Sequence, residues 1–210
     1  MTPVQPPHDC PLCPRLVAFR ETWRERAPTW HNAPVRSFGP ENAELLIIGL
    51  APGLQGANRT GRPFTGDWAG DLLYATLLEF GFATGVYDER PDDGLELVGA
   101  RIVNAVRCVP PQNKPVGAEI NTCRQFLTGE FEGLPNVKAV VLLGRIAHES
   151  TLRALGAPMN AAKFGHGAEH DIGRIRLFDS YHCSRYNTNT GRLTTDMFRA
   201  VFARVQEYLC

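Results

Sequence analysis

Apolar positions along the chain fall into two registers. Glu44 to Leu50, Arg101 to Val106 and Lys138 to Leu143 are short, nearly continuous runs rich in Val, Ile and Leu, the pattern of parallel strands covered on both faces. A fourth run, Arg174 to Phe178, alternates more and is placed nearer a sheet edge. Helical spacing fills the intervals. A helix over Arg15 to Arg26 precedes the first strand. Asp67 caps a second, which carries Leu72, Leu73, Thr76 and Phe80 on one side and closes at Gly81. Gly117 to Phe131 carries Ile120, Phe126 and Leu127. Arg145 to Leu155 stops at Gly156, with Pro158 beyond. The last helix starts near Thr194 and repeats Phe198, Val201, Phe202, Val205 and Leu209. This alternation predicts an α/β fold: a three-layer α/β/α sandwich around a four-stranded, mainly parallel central sheet, forming one domain over residues 1–210.

Ligands of open parallel sheets bind beyond the carboxyl ends of the strands, and the unusual loops of this chain fall there. The first strand runs into Ala51-Pro52-Gly53 and a Gly/Arg/Thr-rich loop reaching Asp67. The second ends near Asn104 and continues as Arg107-Cys108-Val109-Pro110-Pro111-Gln112-Asn113-Lys114-Pro115. The fourth delivers Asp179-Ser180-Tyr181-His182-Cys183-Ser184-Arg185-Tyr186-Asn187-Thr188. Three polar loops therefore converge on one edge, which predicts a pocket.

Composition narrows the picture slightly. Lys+Arg and Asp+Glu each number 22, so the chain lacks the basic excess of a dedicated nucleic-acid binder; a small basic mouth fits this balance. No apolar run approaches the roughly 20 residues of a membrane span, and the proline-rich Met1 to Pro7 lacks the apolar core of a signal peptide. The expectation is a cytoplasmic monomer with no membrane association. Of the six cysteines, Cys10 and Cys13 form a Cys-x-x-Cys pair between prolines, and Cys108 and Cys123 form a distant second pair. Two pairs of thiolates suit a tetrahedral zinc or an iron–sulfur cluster; inert buried thiols are the plain alternative. Neither Gly-x-Gly-x-x-Gly nor a Walker loop occurs, which counts against a nucleotide-handling enzyme.

Four motifs, in order, carry a resemblance. Gly49-Leu50-Ala51-Pro52-Gly53, Gly61-Arg62-Pro63-Phe64-Thr65-Gly66-Asp67, Asn104 with Val106-Arg107-Cys108 and Pro110-Pro111, and Ser180-Tyr181-His182-Cys183-Ser184 with Asn187-Thr188 and Thr190-Gly191 resemble the motifs of the uracil-DNA glycosylase superfamily. The apolar Leu50-Ala51 and the Arg59-Thr60-Gly61-Arg62 segment are similar to family 5, the b-type branch. Cys183 departs from the family, which usually has proline after this histidine.

The resemblance implies a monofunctional glycosylase of base excision repair. It would flip uracil, in single- or double-stranded DNA, into a pocket and hydrolyse its N-glycosidic bond. Phe64 would stack the base. Asn104 would match the N3–H and O4 edge of uracil with its amide. His182 would donate a hydrogen bond to O2 as negative charge builds there. Gly49, Gly53, Ser184 and Asn187 would shape the pocket, Ser184 and Asn187 by binding phosphate or orienting their loop. Ala51 has no polar atom to hold water, so Asn58 and Asp67 are the nearest candidates; its small methyl also predicts activity on hypoxanthine and xanthine. Arg59, Arg62, Lys114, Arg185 and Arg192 are candidate phosphate contacts, with only part of the set expected to serve. Cys10, Cys13, Cys108 and Cys123 would hold a [4Fe-4S] cluster, with structural zinc as the alternative. His31, His148 and His170 read as structural, and His166 receives no role. A family member that binds damaged DNA with little or no glycosylase activity is the rival expectation, kept open by Cys183 and Ala51; an iron–sulfur redox carrier would leave His182, Asn104 and Phe64 unexplained.

Overall fold

A computed structural model describes residues 2–210. The main sheet has the order β4-β1-β5-β7-β6. Strands β1 (Leu45–Gly49), β4 (Ala100–Asn104), β5 (Ala139–Leu143) and β7 (Ile175–Ser180) pair in parallel. β6 (Glu169–Ile172) adds an antiparallel edge. The sheet thus has five strands rather than the four expected. β6 escaped sequence reading because Glu169-His170-Asp171-Ile172 is polar and half-exposed, without apolar alternation. It also moves β7 inward: the expected near-edge strand is flanked by β5 and β6. The pairing of Ile172 with Ile175 leaves Gly173-Arg174 as a two-residue hairpin turn, and Gly173 supplies the left-handed φ of 60° that such a turn requires. A two-stranded ribbon, β2 (Ala83–Thr84) with β3 (Glu96–Leu97), was likewise unforeseen.

Seven α-helices are among the described elements: α1 (Pro14–Arg26), α2 (Ala57–Thr60), α3 (Trp68–Glu79), α4 (Gly117–Gly133), α5 (Arg145–Ala154), α6 (Arg185–Asn189) and α7 (Thr195–Leu209). Period-two burial divides the core in two. Leu45 and Ile47 of β1 belong to the cluster that includes Leu73 and Leu77 of α3 and Phe198, Phe202 and Val205 of α7. Leu46 and Ile48 belong instead with Leu127 and Phe131 of α4 and Ala147 and Leu152 of α5. These are the two outer layers of the α/β/α sandwich. A third, smaller cluster joins Leu16 of α1, Val106, Phe126, Cys10 and Cys123. Asp67 and Thr194 cap α3 and α7, accepting from the backbone N–H of Gly70 and Met197, the first as predicted and the second at the predicted helix start. No helix is long and apolar enough to cross a membrane among the described residues.

Candidate active site

Because β1, β4, β5 and β7 run in parallel, their carboxyl ends meet at one edge of the sheet. A cleft of about 830 Å³ opens there, within the size range of small-molecule sites. It is lined by Leu50-Ala51-Pro52-Gly53 after β1, Phe64 and Asp67 before α3, Asn104 at the end of β4, and His182, Ser184 and Arg185 after β7. A fourth loop, Leu143-Gly144-Arg145-Ile146 after β5, also contributes. The same rule about strand ends would have found it, but its single polar side chain made it inconspicuous.

Gly49 is the closest point of the site. It lies opposite Asn104 in the β1–β4 register. A methyl there would stand 2.5 Å from Phe64 Cζ and closer still to Asn104 Oδ1. Only glycine lets the amide and the aromatic ring approach each other over the strand. Phe64 and His182 lie 6.0 Å apart between ring centroids, at 29°. Among the described residues, Asn104 Oδ1 and His182 Nδ1 are buried without a hydrogen-bond partner. Buried polar atoms are nearly always paired, so two orphans in one cleft mark a place where a ligand supplies the partner.

Burial pushes the His182 imidazole down to a pKa of about 4, so the ring is neutral at pH 7. Its loop is held by Asn187, whose Nδ2 donates to the His182 carbonyl at 2.8 Å. Ser184 caps α6 and accepts from Asn187 N. Cys183 is fully buried and its thiol donates to the Ala69 carbonyl at 3.4 Å. That bond ties the loop to the start of α3, which proline could not do, and leaves His182 in the cleft. His166, given no role from sequence, accepts from Tyr181 N at 3.2 Å and stacks on the Tyr181 ring, steadying the chain one residue before His182.

The depressed pKa has a thermodynamic consequence. Unfolded His182 binds a proton below about pH 6.5 that the folded ring refuses until about pH 4. The unfolded state therefore binds more protons as pH falls through this window, and stability is lost. His182→Ala removes the penalty, so its stability relative to wild type should rise by about 2 kcal/mol between pH 8 and pH 5. Denaturant unfolding of both proteins at the two pH values measures this; an unchanged difference would contradict it.

Asp67 serves two surfaces. Its Oδ1 accepts from Gly70 N at 3.2 Å as the cap of α3, while its carboxylate faces the backbone of Gly53 and Gly56 along the cleft. Burial raises its pKa. Asn58 is not part of the cleft. It is buried, its Nδ2 donates to Asn32 Oδ1 at 2.9 Å, and Asn32 in turn donates to Trp23 and Ala27 carbonyls. The amide is engaged in joining α2 to the chain after α1 and has no access to a reacting sugar.

The candidate phosphate ligands separate clearly. Arg62 is buried in a bidentate pair with Asp93, at 2.8 and 2.7 Å, and so cannot meet DNA. Arg59, Lys114, Arg185 and Arg192 are exposed, and Arg185 lines the cleft with its guanidinium 5.5 Å over the Trp68 ring. Arg145, missed from sequence, is exposed, also lines the cleft and lies 5.6 Å over Phe164. None of these five exposed cations forms an ion pair among the described residues. Several acids are matched elsewhere, by Arg15, Arg62, Arg101, Arg107 and Arg176. A chain of zero net charge thus keeps two unpaired cations, Arg145 and Arg185, at its cleft.

His148, His170 and His31 fit their structural readings. His148 is buried against Asp179 Oδ1 at 2.8 Å and the Ala162 carbonyl. His170 and His31 lie against the Lys163 and Pro34 carbonyls.

The four paired cysteines come together from three parts of the chain. Cys10 and Cys13 precede α1, Cys108 follows β4 and Cys123 lies on α4, and all four line one small cavity with Leu16, Arg20 and Phe126. The Arg107 backbone N–H donates to Cys123 Sγ at 3.3 Å. Ala51 packs on the same cluster from the cleft side. Among the described residues, no group of three His, Cys, Asp or Glu side chains closes around a single ion.

An open, mainly parallel sheet with a polar-lipped cleft at its carboxyl edge, lined by an orphaned amide, a neutral imidazole and an aromatic ring, defines an α/β protein that receives a flat, hydrogen-bonding ring. The comparisons give that class a family. Residues 36–206 match the family model described as the uracil DNA glycosylase superfamily, and the chain belongs to it. It is 47% identical to the type-5 uracil-DNA glycosylase of Thermus thermophilus, with 91% of this chain and 90% of that protein covered. Against the type-5 uracil-DNA glycosylase of Pyrobaculum aerophilum the identity is 39%, with 93% and 87% covered. The type-4 uracil-DNA glycosylase of Sulfurisphaera tokodaii is 28% identical, with 78% and 70% covered.

Proposed function

We propose that this protein is a uracil-DNA glycosylase of base excision repair, acting as one domain and as a monomer. The observation that carries this reading is the pair of orphaned buried atoms, Asn104 Oδ1 and His182 Nδ1, beside Phe64 in one cleft. A flipped uracil supplies what they lack. Its N3–H donates to Asn104 Oδ1, and its ring stacks on Phe64, returning about 1–3 kcal/mol toward the cost of flipping. Cytosine has no N3–H and would leave the Asn104 acceptor unpaired, which supports strong discrimination.

As the glycosidic bond breaks, the base leaves as an anion with charge on O2. The neutral His182 ring donates a hydrogen bond to that oxygen without having to give up its proton. The sugar becomes cationic, and water adds. Asp67 is the candidate for holding this water, since Ala51 is apolar and Asn58 is occupied elsewhere. The small Ala51 side chain leaves the pocket wide enough for larger deaminated bases. An oligonucleotide carrying uracil, hypoxanthine or xanthine, incubated with the protein and then treated with alkali, should break at the lesion in all three cases. Intact uracil DNA would defeat the function, while cleavage of uracil alone would defeat the broader specificity. The orderly seat of Cys183 favours an active enzyme over a binder of damaged DNA.

Arg145 and Arg185, both exposed and lining the cleft, are read as phosphate contacts. Each contact should contribute about 0.9 to the slope of log affinity against log salt. Arg145→Ala should flatten the slope by about that amount; a slope equal to wild type would remove Arg145 from the interface.

Cys10, Cys13, Cys108 and Cys123 would hold a [4Fe-4S] cluster. An all-thiol donor set around one cavity, with a backbone N–H directed at one sulfur, suits such a cluster. Structural zinc, which takes four thiolates at about 2.3 Å, is the alternative occupant of the same four residues. Bound there, the cluster supplies a covalent tie between α1, α4 and the loop that follows Asn104.

A further inference from the structure

Phe64 has a backbone φ of 53°, a left-handed conformation that a bulky residue keeps only where its surroundings over-determine it. The groups that impose it come from α3, from the stretch before β1 and, above all, from the segment between α3 and β4. Two residues before Phe64, Arg62 donates to both oxygens of Asp93, at 2.8 and 2.7 Å. The Asp93 side chain is completely buried. Its carboxylate also accepts from the backbone N–H of Asp88 and Leu95, at 2.9 and 3.0 Å, so the acid is fixed before it grips the arginine. The Arg62 guanidinium is further enclosed by Phe38, Tyr74 and Tyr87, and its Nε donates to Thr65 Oγ1 at 2.7 Å. The Tyr87 hydroxyl donates to the Phe64 carbonyl at 3.2 Å, and the Tyr74 hydroxyl to the Pro63 carbonyl at 2.6 Å. The turn is held on both sides of the aromatic residue.

We propose that Asp93 is a positioning residue for base excision: its bidentate pair with Arg62 fixes the turn that aims the Phe64 ring at the flipped base. The inference rests on the glycosylase reading, in which Phe64 is the stacking surface. A buried ion pair adds little net stability over an apolar replacement. Its distinctive property is directional, because a planar guanidinium joined to a carboxylate by two parallel bonds sets orientation as well as distance.

Asp93→Asn preserves shape and removes the charge. In single-turnover assays on a uracil oligonucleotide it should slow excision about 10-fold, the penalty of a sub-ångström misplacement of a reacting group. Affinity for an abasic-site oligonucleotide, which has no base to stack, should change by less than about twofold. The deciding measurement is the same substitution in a Phe64→Ala background, where it should slow excision by less than about twofold further, because the ring it positions is gone. Equal slowing in both backgrounds, or none in the wild-type background, overturns the proposal. Should Asp93→Asn fail to fold, Arg62→Lys tests the same pair, since it keeps a cation beside Asp93 and removes one of the two parallel bonds. About threefold slowing, absent in the Phe64→Ala background, is expected for the loss of one such bond, and equal slowing in both again overturns it. Wild-type protein that leaves uracil DNA intact refutes the glycosylase reading itself, an outcome separate from active wild type with unaffected variants.

Discussion

His182→Ala is expected to lower the single-turnover rate of uracil excision by about 10²- to 10³-fold, the loss of roughly 3–4 kcal/mol that follows removal of one preorganised donor from a developing anion. Affinity for the intact oligonucleotide should change little, because the base carries no charge on O2 until the bond to the sugar has begun to break. The effect therefore belongs in the rate of the chemical step rather than in binding. The burial that encloses His182 Nδ1 also holds the ring neutral, with a pKa of about 4. A charged imidazolium would be the stronger donor, but it would carry a desolvation cost in the resting enzyme. Accordingly the wild-type rate should show no inflection near pH 6.5, where an ordinary histidine titrates. An unchanged rate in His182→Ala, or a wild-type rate that tracks protonation near 6.5, would remove this residue from its role.

Gly49→Ala is expected to reduce excision by at least about 100-fold, by occlusion rather than by lost chemistry. The added methyl would lie 2.5 Å from Phe64 Cζ and nearer to Asn104 Oδ1, distances that force a neighbour to move. The Asn104 backbone is fixed by its parallel pairing with Gly49, so it can yield only by swinging its amide out of the cleft, and Phe64 sits on a turn anchored through Arg62 and Asp93. Moving either displaces one of the two surfaces that the base would use. Glycine was selected here by the approach of the amide and ring, since β1 needs no special backbone conformation at this point. Assays on uracil and on abasic-site oligonucleotides distinguish the causes: occlusion lowers excision while binding of the abasic product persists. Wild-type excision in Gly49→Ala would show that the pocket has slack which the packing denies.

The two expectations treat the site as a rigid frame. Parallel pairing places Gly49, Asn104, Leu143 and Ser180 at one edge, and the loops beyond inherit that precision. Asn187 on the His182 carbonyl, His166 on the Tyr181 backbone and Cys183 on the start of α3 each fix the second catalytic loop by a separate bond. Preorganisation of this kind is what makes one hydrogen-bond donor worth several kcal/mol.

Much of this protein is written locally in its sequence. Apolar runs and helical repeats marked four of the five main-sheet strands and the five long helices, because burial on both faces or on one stripe leaves a periodic trace in composition. The rule that ligands gather beyond parallel strand ends then converted a list of loops into a cleft containing Ala51, Phe64, Asp67, Asn104 and His182. Sequence could not say which polar side chains were already spoken for. Arg62 and Arg59 are indistinguishable as letters in one basic segment, yet Arg62 is sealed against Asp93 while Arg59 stays in solvent. Asn58 looked as available as Asp67 until Asn32 was seen to occupy it. The polar strand β6 and the lip residue Arg145 left no periodic trace, since one is placed by pairing with a neighbour and the other by the edge to which its strand delivers it. Periodicity records whether a side chain is buried, but its partner, its protonation state and its distance from a bound base are set by contacts between residues far apart in the chain, and those exist only once the sheet has assembled.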